Sequence, residues 1–188
     1  GVADTLINRA LHEFTKVAGD SSKSLYDRNR AVYEMLRYGI KVQPGAGENH
    51  VTVWLIDWHH PQANDFGVAE EVTVKGSDLL NAAKAATKRP DVVLYVNGIA
   101  LGVLELKRST VSVSEGIRQN LDNQKKEFIQ PFFTTMQWVM AGNDTEGLRY
   151  ATTETPEKHW LQWVEADGPH ATEPNLLDRH LLQVCNKA

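Results

Sequence analysis

The sequence predicts a single α/β (α+β) domain over residues 1–188, in which a mixed central sheet is flanked by helices. Two amphipathic helical patterns open the chain, short strand-like apolar runs fill its middle, and another helical pattern stands near the end. A length of 188 residues fits one domain and leaves little room for a second complete one.

Apolar residues at helical spacing, together with capping residues, predict the helices. Gly39 is a plausible end for the second helix, and Ser112 with Glu115 has the capping-box pattern that starts a third. We expect helices at 4–17, 27–38, 112–128 and 175–184, with 76–88 ambiguous and helical around 79–86. The chain begins almost inside its first helix, so we expect it to be the front part of a longer protein.

Alternating or continuous apolar runs predict the strands. The clearest signal is Asn97-Gly98 between two such runs, because this dipeptide is typical of a tight β-hairpin turn. We expect strands at 51–57, 68–74, 91–96, 99–107, 136–140, 148–152 and 159–164.

Composition excludes several classes of protein. Apolar residues make up 41% of the chain and charged residues 23%, which is ordinary for a globular protein and too apolar for a disordered one. No apolar run is long enough to span a bilayer, and the single cysteine, Cys185, fits a reducing compartment. We therefore expect a cytoplasmic protein that does not bind membranes.

The net charge of −4 counts mildly against contact with DNA over the whole surface. A local basic groove is compatible with it, because salt limits the reach of each charge to about 10 Å. Arg108, Arg118, Lys125 and Lys126 supply such local positive charge around the third helix.

A charged pair interrupts the otherwise apolar strand 99–107. Glu105 and Lys107 are two residues apart, so they point to the same face of the strand. A buried charge is costly unless it is paired or bound to a metal. Asp91 lies fourteen residues before Glu105, at the start of the preceding strand.

Hairpin geometry tests whether the two carboxylates meet. A strict two-residue turn at Asn97-Gly98 pairs Asp91 with Leu104, which places Asp91 and Glu105 on opposite faces. A three-residue connection, a bulge at Gly98, or Asp91 lying before regular pairing begins would bring them together. The nuclease hypothesis predicts one of these irregularities.

Two carboxylates and a lysine suit phosphodiester hydrolysis. Oxygen ligands from Asp91 and Glu105 can hold Mg²⁺, which polarises a phosphate and acidifies a bound water. Lys107 can orient or activate that water. On the third helix, Gln119 and Asn123 lie four residues apart, and we place them together on the face away from the core.

The segment 89–98 with Val103-Leu104-Glu105-Leu106-Lys107 resembles the nuclease domain of the type I restriction enzyme restriction subunit (HsdR). The resemblance extends back through Asn29-Arg30-Ala31, Leu55-Ile56-Asp57 and Asn64-Asp65-Phe66, and forward to Gln119 and to 139–143. It covers most of the chain.

This resemblance implies a PD-(D/E)xK endonuclease fold in which Asp91, Glu105 and Lys107 form the catalytic set. It also implies that Gln119 is the motif glutamine, whereas Asn123 stands where the motif has tyrosine. The implied cofactor is Mg²⁺, bound by Asp91 and Glu105. Arg108, Arg118, Asn123 and Lys125 are the candidate contacts to DNA.

The resemblance further implies partners: double-stranded DNA, and the modification and specificity subunits of a restriction complex. ATP is expected to serve only motor domains outside this chain, because the sequence contains no Gly-x-x-x-x-Gly-Lys-Ser/Thr phosphate loop.

Other interpretations compete with this one. The three residues alone are compatible with a surface hairpin carrying an ordinary salt bridge. A repair or recombination nuclease of the same fold is one alternative function, and a non-catalytic DNA-binding or docking module with a degenerate site is another. His59 and His60 are expected to be loop residues rather than zinc ligands, since no partners lie at zinc-like spacing.

Overall fold

The computed structural model describes residues 3–76, 85–165 and 170–185. The helices are α1 (Asp4–Ala18), α2 (Leu25–Tyr38), α3 (Val113–Asn123) and α4 (Leu176–Val184). The strands are β1 (Ile40–Val42), β2 (Val51–Val53), β3 (Phe66–Glu70), β4 (Val74–Lys75), β5 (Thr87–Lys88), β6 (Val92–Val96), β7 (Ile99–Leu106), β8 (Trp138–Asn143), β9 (Gly147–Ala151) and β10 (Leu161–Gln162).

A six-stranded mixed sheet forms the centre of the molecule, with strand order β10-β9-β8-β7-β6-β3. Strands β7 and β8 are parallel, and the other neighbours are antiparallel. The pairs β1-β2 and β4-β5 form separate two-stranded ladders. The predicted fold class, a mixed sheet flanked by helices, is confirmed.

The β6–β7 hairpin contains both a tight turn and an irregularity. Val96 pairs with Ile99 across the turn, and Asn97 and Gly98 both have positive φ, as a type I′ turn requires. The register then shifts: Tyr95 pairs with Ala100 but Leu94 pairs with Gly102. The predicted bulge therefore exists, but its extra residue is Leu101 rather than Gly98, because both turn residues tolerate positive φ.

Helices cover both faces of the sheet. On one face, α3 packs Val113 and Ile117 against a buried cluster that includes Val93, Val103 and Val139. On the other face, Leu177 of α4 joins a cluster made with three sheet residues: Leu104, Met140 and Leu148. Because side chains alternate along β7, the α3 face that takes Val103 also takes Glu105.

The first two helices share a separate hydrophobic cluster with β1 and β2. Ala10 and Phe14 of α1 pack against Val32 and Leu36 of α2 in a separate buried cluster. The Asn29 amide joins α2 to the segment that follows α3, since Nδ2 lies 3.1, 3.2 and 2.7 Å from the carbonyl oxygens of Phe133, Thr134 and Met136.

Several predicted boundaries were wrong. The strand expected over 51–57 ends at Val53, and 68–74 divides between β3 and β4. Helix α3 ends at Asn123 rather than Phe128, and the amide of Ile129 bonds to the carbonyl of Asn123 instead of continuing the helix. Ser112 caps α3 as predicted, but the Glu115 carboxylate pairs with Arg118 and does not complete a capping box.

Most of the ambiguous stretch 76–88 lies outside the described residues, apart from the short strand β5. Among the helices that the structure describes, none has the length and apolar character needed to cross a membrane.

The turn at Gly98 provides a test of the hairpin geometry. Gly98→Ala should lower the free energy of unfolding by about 1 kcal/mol, because φ is +76° there and a β-carbon disfavours that conformation. The matched control is Gly67→Ala on β3, where the added carbon makes ordinary contact with Tyr95. Urea denaturation measures both variants, and equal stabilities would contradict the assigned turn.

Candidate active site

Glu105 is a fully buried glutamate on the central strand β7. Its carboxyl faces α3, where Gln119 Nε2 donates to Oε2 at 2.5 Å and Asn123 Nδ2 lies 3.4 Å from Oε1. No ion pair in the described parts of the chain involves Glu105. A carboxylate in this position therefore requires a proton or a cation.

Asp91 lies immediately before β6, next to the end of β7. The bulge at Leu101 makes Val92 pair with Leu104, so Asp91 comes level with Glu105 and on the same face. Its Oδ2 accepts a hydrogen bond of 2.7 Å from the backbone amide of Leu106, which fixes the carboxylate at this edge. The sequence-predicted condition for the two carboxylates to meet is thus fulfilled.

The two carboxyls influence each other electrostatically. Burial is the main cause that raises the pKa of Glu105 to about 8, and the nearby charge of Asp91 and a hydrogen bond between the two side chains act in the same direction. The Lys107 ammonium and the Gln119 hydrogen bond act in the opposite direction. Ionised Glu105 is therefore under-compensated by the protein's own groups.

Lys107 reaches the same place from the end of β7. Its Nζ donates to Gln119 Oε1 at 2.7 Å and to the carbonyl oxygen of Leu106 at 3.2 Å. Gln119 therefore links the ammonium to the Glu105 carboxyl through the two ends of one amide. The expectation that Gln119 and Asn123 lie on the outer face of α3 was wrong, since both point towards β7.

Gly116 allows this close packing of α3. A β-carbon at position 116 would lie 3.1 Å from the Ala141 side chain and 3.4 Å from Lys107 Cγ. Sequence reasoning did not single out this residue, although a glycine inside a predicted helix signals close approach to another element. It also missed Asn120 and Gln124, which are buried on the same face.

The carboxyl pair fits a hard divalent cation. Mg²⁺ needs only one or two protein carboxylates when waters and a phosphate supply the remaining oxygens. The described residues contain no group of three or more His, Cys, Asp or Glu side chains arranged around a common metal position. Asp91 and Glu105 are the acidic side chains here that could hold such a cation, and the burial of Glu105 without an ion-pair partner among the described residues is the observation that fits one.

The residues predicted to contact DNA differ in their exposure and in their ion pairs. Arg108 is exposed, Arg118 pairs with Glu115 at 2.8 Å and with Glu157 at 3.1 Å, and Lys125 pairs with Asp122. Exposed ion pairs of this kind are weak, so they leave the basic side chains able to exchange partners. Asn123 is buried, and a buried amide does not reach DNA directly.

His59 and His60 lie away from this site. Asp57 Oδ1 accepts from both of their backbone amides, at 3.0 and 2.9 Å, so the aspartate caps the turn. His60 Nδ1 lies 3.3 Å from Asp57 Oδ2 at the surface. These contacts agree with the expectation of loop residues.

Residues 3–158 match the family described as "Type I restriction enzyme R protein N terminus (HSDR_N)". The chain belongs to this family. The match covers the whole site from Asp91 to Asn123 and confirms the resemblance found in the sequence. It also disfavours the alternative of a repair or recombination nuclease.

Two curated members of type I systems are similar to this HSDR_N chain. The type I restriction enzyme SsaAORF53P endonuclease subunit of Staphylococcus saprophyticus is 24% identical over 142 residues, which are 75% of this chain and 14% of that protein. The type I restriction enzyme HindI endonuclease subunit of Haemophilus influenzae is 23% identical over 164 residues, or 85% of this chain and 15% of that protein. The chain thus spans about one seventh of these relatives.

A solved structure titled "cryoEM structure DrdV-DNA complex" is also similar to the chain. The alignment covers 100% of this chain and 14% of that one, with 13% sequence identity and a TM-score of 0.39.

Burial of Glu105 predicts a pH-dependent stability in the metal-free protein. Its pKa of about 8 in the folded state lies above the ordinary 4.5, so folding retains a proton that the unfolded chain loses between these values. The contribution is full below pH 4.5 and is lost as the pH rises to 8. Glu105→Gln stays neutral at every pH, so its stability relative to wild type should increase by about 4 kcal/mol between pH 4.5 and 8.

Urea denaturation across this pH range measures the difference. Glu34→Gln on α2 removes an exposed carboxylate paired with Arg30 and serves as the control, for which little pH dependence is expected. Wild-type and Glu105→Gln curves that run parallel between pH 4.5 and 8 would contradict the assigned burial.

Proposed function

We propose that this chain is the endonuclease domain of a type I restriction enzyme and hydrolyses phosphodiester bonds in double-stranded DNA with Mg²⁺. The observation that carries the proposal is the fully buried Glu105, level with Asp91 and joined through Gln119 to Lys107. Family membership supports the restriction role. The arrangement of carboxylates, ammonium and amide supports the chemistry.

Asp91 and Glu105 would hold the cation through carboxylate oxygens. When bound, Mg²⁺ supplies charge stabilisation to the phosphate and acidifies a water. Hydrogen bonds from the protein orient each of the two carboxylates. The Leu106 amide orients Asp91, and the α3 amides orient Glu105. Little reorganisation is then needed as the substrate arrives.

Lys107 is assigned to the attacking water and the phosphate. An ammonium has three donors, and Gln119 and Leu106 accept two of them. The third donor remains for a water or a phosphate oxygen, where its positive charge stabilises developing negative charge. Gln119 thus orients two catalytic groups at once, which gives it a positioning role.

Membership of the family suggests the substrate and the partner subunits of this domain. Double-stranded DNA is the proposed substrate, and the exposed side chains of Arg108, Arg118 and Lys125 are candidate contacts to its phosphates. The DNA sequence would be recognised by the specificity subunit, which acts together with the modification subunits. ATP would be used by motor domains elsewhere in the full-length subunit, in the cytoplasm. The overall charge of −4 fits DNA contact confined to a local basic region.

Lys107→Ala in the full-length subunit, assembled with its partner subunits, tests the assignment. DNA cleavage should fall at least about 100-fold, because the ammonium acts on the reacting groups. ATP hydrolysis should stay at the wild-type level, since the motor domains are separate from this site. Plasmid linearisation and phosphate release measure the two activities in parallel.

Lys23→Ala is the matched control, because Lys23 is an exposed lysine that pairs with Asp20 in the loop between α1 and α2. It should leave both activities unchanged. Near-normal cleavage by Lys107→Ala would contradict the assigned role. A wild-type assembly that hydrolyses ATP without cutting DNA would instead favour a degenerate, non-catalytic domain.

A further inference from the structure

Asn123 occupies an unusual position for an amide. It is the last residue of α3, is 2% exposed, and its Nδ2 lies 3.4 Å from Glu105 Oε1. One helical turn earlier, Gln119 Nε2 contacts the other oxygen of the same carboxyl. Two amides on successive turns therefore contact Glu105 from the α3 side.

The side-chain oxygen of Asn123 makes no stabilising hydrogen bond among the described residues. Its Oδ1 is buried and has no hydrogen-bond partner within the described residues. A buried carbonyl oxygen without a partner costs about 1–3 kcal/mol. The contact with Glu105 is thus the one side-chain hydrogen bond that Asn123 makes among the described residues.

We propose that Asn123 is a positioning residue for Glu105 and increases the affinity of the site for a divalent cation. The inference rests on the proposed function. A carboxylate has about four acceptor positions. Gln119 and Asn123 occupy acceptor positions from the α3 side, and Asp91 lies beside the same carboxyl. The amide donors also restrain the carboxyl, so less side-chain freedom is lost when a cation binds.

Asn120 provides a matched comparison on the same helix. It is fully buried like Asn123, but its Nδ2 donates to the carbonyl oxygen of Met140 at 2.8 Å and makes no contact with Glu105. Its Oδ1 likewise has no partner among the described residues. The pair therefore separates a role at Glu105 from the general effect of a buried asparagine.

Calorimetric titration of the chain with Mn²⁺ tests this role. Asn123→Leu keeps the side-chain size and removes the donor, and it should weaken Mn²⁺ binding about tenfold or more. Asn123→Ala should weaken binding similarly if the leucine variant fails to fold. Asn120→Leu should lower the stability in urea, since it loses the bond to Met140, yet leave the Mn²⁺ affinity within about twofold of wild type.

The outcomes separate the two proposals. Wild-type binding that is lost in Asp91→Asn but unchanged in the folded Asn123 variants would overturn the positioning role and leave the proposed metal site standing. Equal losses of affinity in the Asn120 and Asn123 variants would also overturn it, because a structural effect of α3 would then suffice. Absence of Mn²⁺ binding by the wild type would overturn both.

Discussion

The burial of the Glu105 carboxyl between β7 and α3 is the constraint on which the site depends. A carboxyl in that place needs donors and either a proton or a cation, and the protein supplies two amides but no ion-pair partner among its described residues. The burial of this carboxyl in the interior of the sheet therefore supports the proposal that a cation binds there. The raised pKa of Glu105 has the same cause, because burial disfavours the charged form of the carboxyl.

Two local irregularities make this arrangement possible. The extra residue Leu101 shifts the hairpin register so that Asp91 comes level with Glu105, and without it the carboxylates would face opposite sides of the sheet. Gly116 lets α3 approach the sheet closely enough for Gln119 to reach both Glu105 and Lys107. A bulge in a strand and a glycine in a helix are each locally unfavourable, and here both serve the geometry of one site.

Sequence patterns predicted much of this arrangement. The side-chain alternation in the strand placed Glu105 and Lys107 on one face. The parity of the Asn97-Gly98 turn required a bulge, an odd-length turn, or Asp91 lying before regular pairing begins. The orientation of α3 was not predictable from its spacing, because polar Gln119 and Asn123 are expected at the surface by default. Only the carboxyl on the neighbouring strand explains why these amides turn inward, and that is a tertiary contact. The end of α3 was missed for a similar reason, since Phe128 continues the apolar pattern beyond the last helical residue.

Asp91 and Glu105 are proposed to bind a divalent cation together. Anomalous diffraction from crystals of the chain soaked in Mn²⁺ tests it most directly, because the manganese signal locates the ion without assumptions about activity. We expect one strong peak within coordination distance of both carboxylates, on the side of Glu105 away from Asn123. A peak at another place, such as Asp57 and His60, with none at Glu105 would contradict it.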